Sequence, residues 1–260
     1  MIRFQLVFYV FFILISACGA KKVAVKYADS FIETQVEKRL PLYDSQEAAL
    51  SKDIDKFLNE HKDRVKAIVP ILEKIDFNRA ASLDEQYPKF AEAYLEIASD
   101  FSRILSKYMA TFDKKQQKEF LKKLREENND IFIKDREERR DKIASKTRSF
   151  LGGELTKAQA EILQENGKTF DEQVVVRVER RSKLHTDFKT ILAQEISTEA
   201  KEKLIYEAFV AYQKEALANT KNLTIAKAFI PTLTPDQKKA LKQHLMDIQE
   251  IIGYFIETAY

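Results

Sequence analysis

Cysteine is nearly absent: Cys18 is the only one in 260 residues. An intrachain disulfide and a thiolate metal cluster are thereby excluded. Glycine and proline number five each, too few for an all-β chain with many tight turns. No strong charge excess exists either. The formal net charge is +3, which does not give the basic surplus expected of a nucleic-acid binder. Only one long apolar run occurs, at the N-terminus. The chain also lacks a P-loop, a dinucleotide fingerprint, a Gly-x-Ser-x-Gly elbow and an HExxH pair. No catalytic residue, metal site or cofactor is therefore expected. Charged residues make up 33% and hydrophobic ones 45%, with 18 Phe and 10 Tyr. That is too apolar for disorder, and the abundance of Lys, Glu, Ala, Leu and Gln favours helix.

The apolar run, Leu6 to Ile15, is about ten residues long, half of the roughly 20 needed to cross a bilayer. It follows Arg3 and ends at Lys21 and Lys22, as the core of a signal peptide does. The following Ile15-Ser-Ala-Cys18 resembles the lipobox of bacterial lipoproteins. The resemblance implies lipid attachment at the Cys18 thiol and cleavage before it. Residues 1–17 then form the signal peptide, 18–22 a short lipidated tether and 23–260 one helical domain. Several acyl chains together anchor stably. Gly19, standing where an inner-membrane lipoprotein commonly has Asp, points to the outer membrane, on its periplasmic face.

Further along, "LTKAQ" at Leu155–Gln159 repeats as "LTPDQ" at Leu233–Gln237, with looser forms "FDKKQ" at Phe112–Gln116 and "LYDSQE" at Leu42–Glu47. A Thr or Asp oxygen can accept from a free first-turn N–H while Gln three positions later reaches back to the cap's own N–H. Such a box starts a helix. Thr156, Gln159, Thr234 and Gln237 are thus read as capping residues. Ser82-Leu-Asp-Glu85 and Thr169-Phe-Asp-Glu172 fit the same rule. Apolar spacings of three and four predict helices over 44–75 (kinked at Pro70), 82–110, 113–149, 156–165, 170–193, 198–220, 223–229 and 234–259. Gly152-Gly153 should end the third of these and marks the one candidate seam, near 152–153. The expected fold is all-α, an elongated or curved bundle of long antiparallel helices.

The Leu-Thr-x-x-Gln boxes resemble those of the Spy/CpxP periplasmic chaperone and stress-modulator family, whose members are smaller. The order of features also resembles a family of uncharacterised Gram-negative helical lipoproteins, a domain of unknown function. Those features are the lipobox, Tyr27, the box at Gln46, Val69-Pro70, the box at Gln116, the basic stretch Arg136 to Arg148, the box at Gln159 and a last box near the C-terminus. The first resemblance implies non-covalent protein binding in the envelope. The second implies fold and location only.

The histidines, His61, His185 and His244, are far apart in sequence and are read as surface or packing residues. Two basic stretches contain Arg136, Arg139, Arg140, Arg148 and Arg177, Arg180, Arg181. They are read either as solvated helix faces with internal salt bridges or as one basic surface for clients, with Phe132, Phe150 and Phe188 interspersed. The resulting expectation is a non-enzymatic, lipid-anchored envelope protein. It would bind unfolded proteins as an ATP-independent chaperone or stress modulator, or else serve as an assembly accessory with one specific partner. Its other partner is the membrane, through Cys18.

Overall fold

The structure, a computed structural model, describes residues 28–133 and 136–258. Cys18, and with it the lipobox, lies outside the described residues. Among the described residues the α-helices are α1 (Ala28–Glu37), α2 (Asp44–Glu60), α3 (Lys62–Lys66), α4 (Val69–Glu73), α5 (Ala81–Ala110), α6 (Lys114–Ile133), α7 (Arg136–Leu151), α8 (Lys157–Glu165), α9 (Gly167–Ala193), α10 (Thr198–Ala218), α11 (Lys221–Phe229) and α12 (Pro235–Thr258). A 3₁₀ turn, Ile230–Thr232, joins the last two, and no strand occurs among the described residues. The chain is an all-α helical bundle. No described helix is long and apolar enough to cross a membrane.

The long helices pack antiparallel, and cross-helix contacts fix the direction. Along α9 and α10, Gln173 meets Asn219, Arg180 meets Tyr212 and Phe188 meets Phe209. Along α6 and α9, Phe120 meets Phe188 and Glu127 meets Arg181. Along α5 and α10, Tyr87 meets Leu217 and Arg103 meets Tyr206. Each pairing runs up one helix and down the other. The largest core follows these seams: Leu50, Ile54, Phe57, Phe101, Met109, Phe120, Phe188, Ile205, Phe209 and Ile252 are all buried. A second, smaller core gathers Phe77, Leu151, Ile225, Phe229, Ile230, Leu233 and Leu241.

Several boundaries differ from expectation. The segment 44–75 is three helices rather than one kinked at Pro70. The breaks fall at His61 and at Ala67–Ile68. Near the second break the turns tighten: the Ile68 N–H bonds the Val65 carbonyl and the Ile71 N–H bonds the Ile68 carbonyl, at 3.1 Å each. Pro70 sits in the first turn of α4, where its missing N–H costs no helical bond. Ser82 is not a cap. It is wholly buried inside α5, accepting from the Asp76 N–H at 2.7 Å and donating to the Lys74 carbonyl at 3.1 Å. Thr169 also lies inside a helix, because α9 restarts at Gly167 directly after Asn166 caps α8. Segment 113–149 is α6 and α7, with residues 134–135 between them outside the description.

The end of α7 matches its sequence signal. Gly152 has φ +71°, and the Gly153 N–H reaches the Arg148 carbonyl at 3.1 Å, closing the helix in a Schellman turn. A Cβ on Gly152 would stand 2.8 Å from the Ala240 Cβ, so the glycine also lets α12 come close.

Candidate functional site

The four glutamine boxes do not stand alone; they meet in twos. At α8, Thr156 accepts from the Gln159 N–H at 3.3 Å while Gln159 Oε1 accepts from the Thr156 N–H at 2.9 Å. At α12, Thr234 and Gln237 repeat this at 3.2 and 3.1 Å. The two amides then face each other. Gln159 Nε2 donates to Gln237 Oε1 at 2.7 Å, and Gln237 Nε2 returns a bond to Gln159 Oε1 at 3.0 Å. Each Nε2 has a second acceptor in the chain before the partner's cap: Thr232 O at 3.1 Å for Gln159 and Glu154 O at 3.2 Å for Gln237. Both side chains are buried. The amides are thus satisfied reciprocally, as buried polar groups must be.

The looser boxes form the other pair. Gln116 Nε2 donates to Gln46 Oε1 at 2.6 Å and to the Pro41 carbonyl at 2.7 Å. Gln46 Oε1 also accepts from the Tyr43 N–H at 3.0 Å. Gln116 and Asp113 exchange cap bonds at 2.8 and 3.2 Å. Tyr43 occupies the cap position before α2; its carbonyl accepts from the Gln46 and Glu47 N–H groups, but its side-chain oxygen does not cap the helix. Its hydroxyl donates to Asp113 at 2.7 Å. The Gln116 N–H first, then that hydroxyl, hold the Asp113 carboxyl below its usual range. Capping was legible from the sequence; pairing was not. The boxes are structural latches.

Most of the expected basic residues are already engaged. Arg139 and Arg140 both reach Asp171, at 3.4 and 3.2 Å. Arg148 lies 4.0 Å from Glu154. Arg180 stacks over the Tyr212 ring, 5.2 Å from its centroid. Arg177 has an interaction of its own. Arg181 is 4% exposed and holds Glu127 at 2.8 Å, so it is part of the interior rather than of a client-binding surface. The side chains of Arg136 and Phe132 lie outside the described residues. Phe188 is core, and Phe150 is 40% exposed.

The histidines occupy three separate environments. His61 is buried, with Nδ1 2.9 Å from the Phe57 carbonyl and Nε2 3.0 Å from Asp100. His244 stacks on Phe150, centroids 5.2 Å apart and planes 4° from parallel. His185 lies 3.2 Å from the Asn128 amide. Burial, then the nearby Arg181 charge, push its pKa down from 6.5 to about 4. The unfolded chain therefore takes up this proton first. Stability from His185 is present above about pH 6.5 and is lost as the pH falls toward 4. Chemical denaturation should show a loss of about 1–2 kcal/mol between pH 7 and 5 that shrinks in His185→Gln. An equal loss in both proteins would refute the assignment.

What the sequence did not announce is a cavity of about 720 Å³ where the two cores meet. Ile68, Leu72, Ile97 and Ile248 of the larger core line it together with Phe77, Phe229, Leu233 and Leu241 of the smaller one. Its wall draws on α3, α4, α5, α7, α8, α9, α11 and α12 and, among the described residues, contains no Asp, Glu, Lys or Arg. The polar side chains in the wall are Gln86, Tyr87, Tyr94, Thr147, Asn222 and His244. Tyr87 donates to the Leu217 carbonyl at 2.7 Å and Thr147 to the Ile143 carbonyl at 2.9 Å. Burial pushes the Tyr94 phenol up to about 12. Phe150, Asn222 and Ala226 are exposed lining residues, which puts them at the opening. Among the described residues no group of His, Cys, Asp and Glu is arranged to hold a metal ion. No protein-family model, curated protein or solved structure matches the chain.

Proposed function

We propose that this chain is a lipid-anchored envelope protein that binds an apolar guest non-covalently and performs no chemistry on it. The cavity carries this reading. Its volume falls within the roughly 300–1,000 Å³ range of small-molecule sites, and apolar surroundings with few polar groups are what such sites present. A catalytic centre would need converging ionisable groups, and among the described residues the wall offers no carboxylate, lysine or arginine. The lipobox at Cys18 supplies the anchor, and Gly19 favours the outer membrane. The motif resemblance to Spy/CpxP, which implies non-covalent binding of proteins, supports binding without ATP but not the identity of the guest. The arginines argue against charge as the main source of affinity, because ion pairs within the fold occupy several of them.

The test uses the full-length chain on vesicles with a photoactivatable alkane. Label should concentrate on peptides of α11 and α12. Leu223 lines the cavity yet belongs to neither core cluster, so Leu223→Trp fills space without displacing packed neighbours. That variant should lose about tenfold in cavity labelling while its melting temperature stays within a few degrees. Label spread evenly over the surface of the wild-type chain would sink the proposal.

A further inference from the structure

We infer that the guest is a single-tailed lipid, whose one hydrocarbon tail lies in the cavity while its polar head stays outside at the opening. This rests on the cavity being a guest site. The accessible face of the wall is almost wholly hydrocarbon, and among the described residues it has no charged side chain. Tyr87 and Thr147 already donate to backbone carbonyls. The unpartnered Gln86 Oε1 and His244 Nδ1 are sealed in the packing and do not face the cavity. A carboxylate, phosphate or ammonium carried inside would be desolvated without compensation. A peptide segment fits no better, because each of its residues brings a backbone donor and acceptor that need partners. What goes in is therefore hydrocarbon.

Size and the opening narrow the guest further. A methylene takes roughly 30 Å³, about the share of one water molecule in the liquid. A cavity of about 720 Å³ then holds one tail of ordinary length and cannot take both tails of a diacyl lipid. The opening is polar where the interior is not. Asn222 and Ala226, one turn apart on α11, are exposed lining residues. Their neighbours in sequence, Lys221 and Lys227, pair with Glu172 at 3.6 Å and with Asp84 at 2.6 Å. Charges of both signs thus stand beside the opening. A head of either sign can stay hydrated there, so the tail sets the binding. The anchor proposed at Cys18 would keep the protein at a bilayer, whose hydrocarbon comes as acyl tails that carry polar heads.

Photoactivatable lipids on the full-length chain, bound to phosphatidylethanolamine–phosphatidylglycerol vesicles, test both tail and head. Palmitoyl lysophosphatidylglycerol and palmitoyl lysophosphatidylcholine are each prepared with a diazirine near the tail's end or near its ester. The tail-end probe should label buried lining residues such as Ile97 and Ile248, and the ester-end probe should label Phe150, Asn222 or Ala226 at the opening. The reverse order, or no difference in position, overturns the head-out arrangement. Labelling by the two heads should agree within about fivefold, the most that an exposed ion pair at the opening contributes. A larger preference for either head overturns recognition by the tail alone. The dipalmitoyl form of the same probe should label the buried residues about tenfold less, since only one of its tails can be housed. Equal labelling by it overturns the single-tailed assignment. If the alkane probe labels the lining and neither lysolipid does, the lipid proposal falls and the guest site stands. If none of them labels it, both fall. Every comparison uses the unaltered chain, so no folding defect can mask the result.

Discussion

Gln159→Ala should be among the most damaging single substitutions in this chain, costing about 4 kcal/mol and lowering the melting temperature by about 10 °C. The amide of Gln159 holds the Thr156 N–H, the Thr232 carbonyl and both polar atoms of Gln237. Truncation leaves these groups buried with partners missing, at about 1–3 kcal/mol for each unsatisfied group. Gln237→Ala should cost a similar amount. The double variant should cost clearly less than the sum, because the second truncation removes a group the first has already orphaned. Calorimetry on the four proteins of the cycle checks this, and strict additivity would mean the two amides do not act as a unit. Gln116→Ala should cost less, since its partner Gln46 is half-buried and water can take up released bonds there.

Glu127→Ala should cost about 3 kcal/mol, and most of that loss should survive in 1 M salt. Glu127 Oε1 lies 3.3 Å from Arg39 Nε, and Glu127 Oε2 accepts from Arg181 Nη2 at 2.8 Å. Both arginine side chains are more than nine-tenths buried. Removing this carboxylate takes the buried Arg181 guanidinium's ion-pair partner away and removes a counter-charge from beside the equally buried Arg39. Arg181→Met should be milder, since it takes out a charge and keeps Arg39 paired with Glu127. Denaturant titrations at low and high salt distinguish this cluster from a surface ion pair. A surface pair would contribute under about 1 kcal/mol and would fade with salt. If Arg181→Met proved worse than Glu127→Ala, the account would be wrong.

Local signals in this chain are legible, and distant ones are not. Gly152-Gly153 could be read as a helix end because a left-handed residue is needed there and glycine adopts it freely. Thr156 and Thr234 could be read as caps because both halves of the box lie within one turn. The same rule misread Ser82. Its hydroxyl is engaged by Asp76 and Lys74, which precede the helix, and spacing alone does not separate that from a cap. Arg181 looked like part of a basic face because nothing near it in sequence reveals Glu127, 54 residues away, as its partner. The cavity was hidden for a related reason. Leu72, Phe229 and Leu245 show the periodicity of core residues, and a helix face bordering a cavity has the same pattern as one bordering another helix.

The paired boxes also set the order in which this chain can be assembled. Gln46 with Gln116, and Gln159 with Gln237, clasp the chain at separations of 70 and 78 residues. The two clasps follow one another along the sequence without overlapping. The protein is therefore two loops in series, and neither has to wait for the other to close. The entropy of closing a loop grows only logarithmically with its length, so each closure is moderately costly. Two steps cannot be local: the packing of α10 of the second loop on α5 of the first, and the seating of α12. That last helix begins at the second clasp yet contributes Ile248 and Ile252 to the core built largely from the first loop. The C-terminal helix thus reinforces a junction that α5 and α10 already make, so fraying it leaves the two latched halves joined.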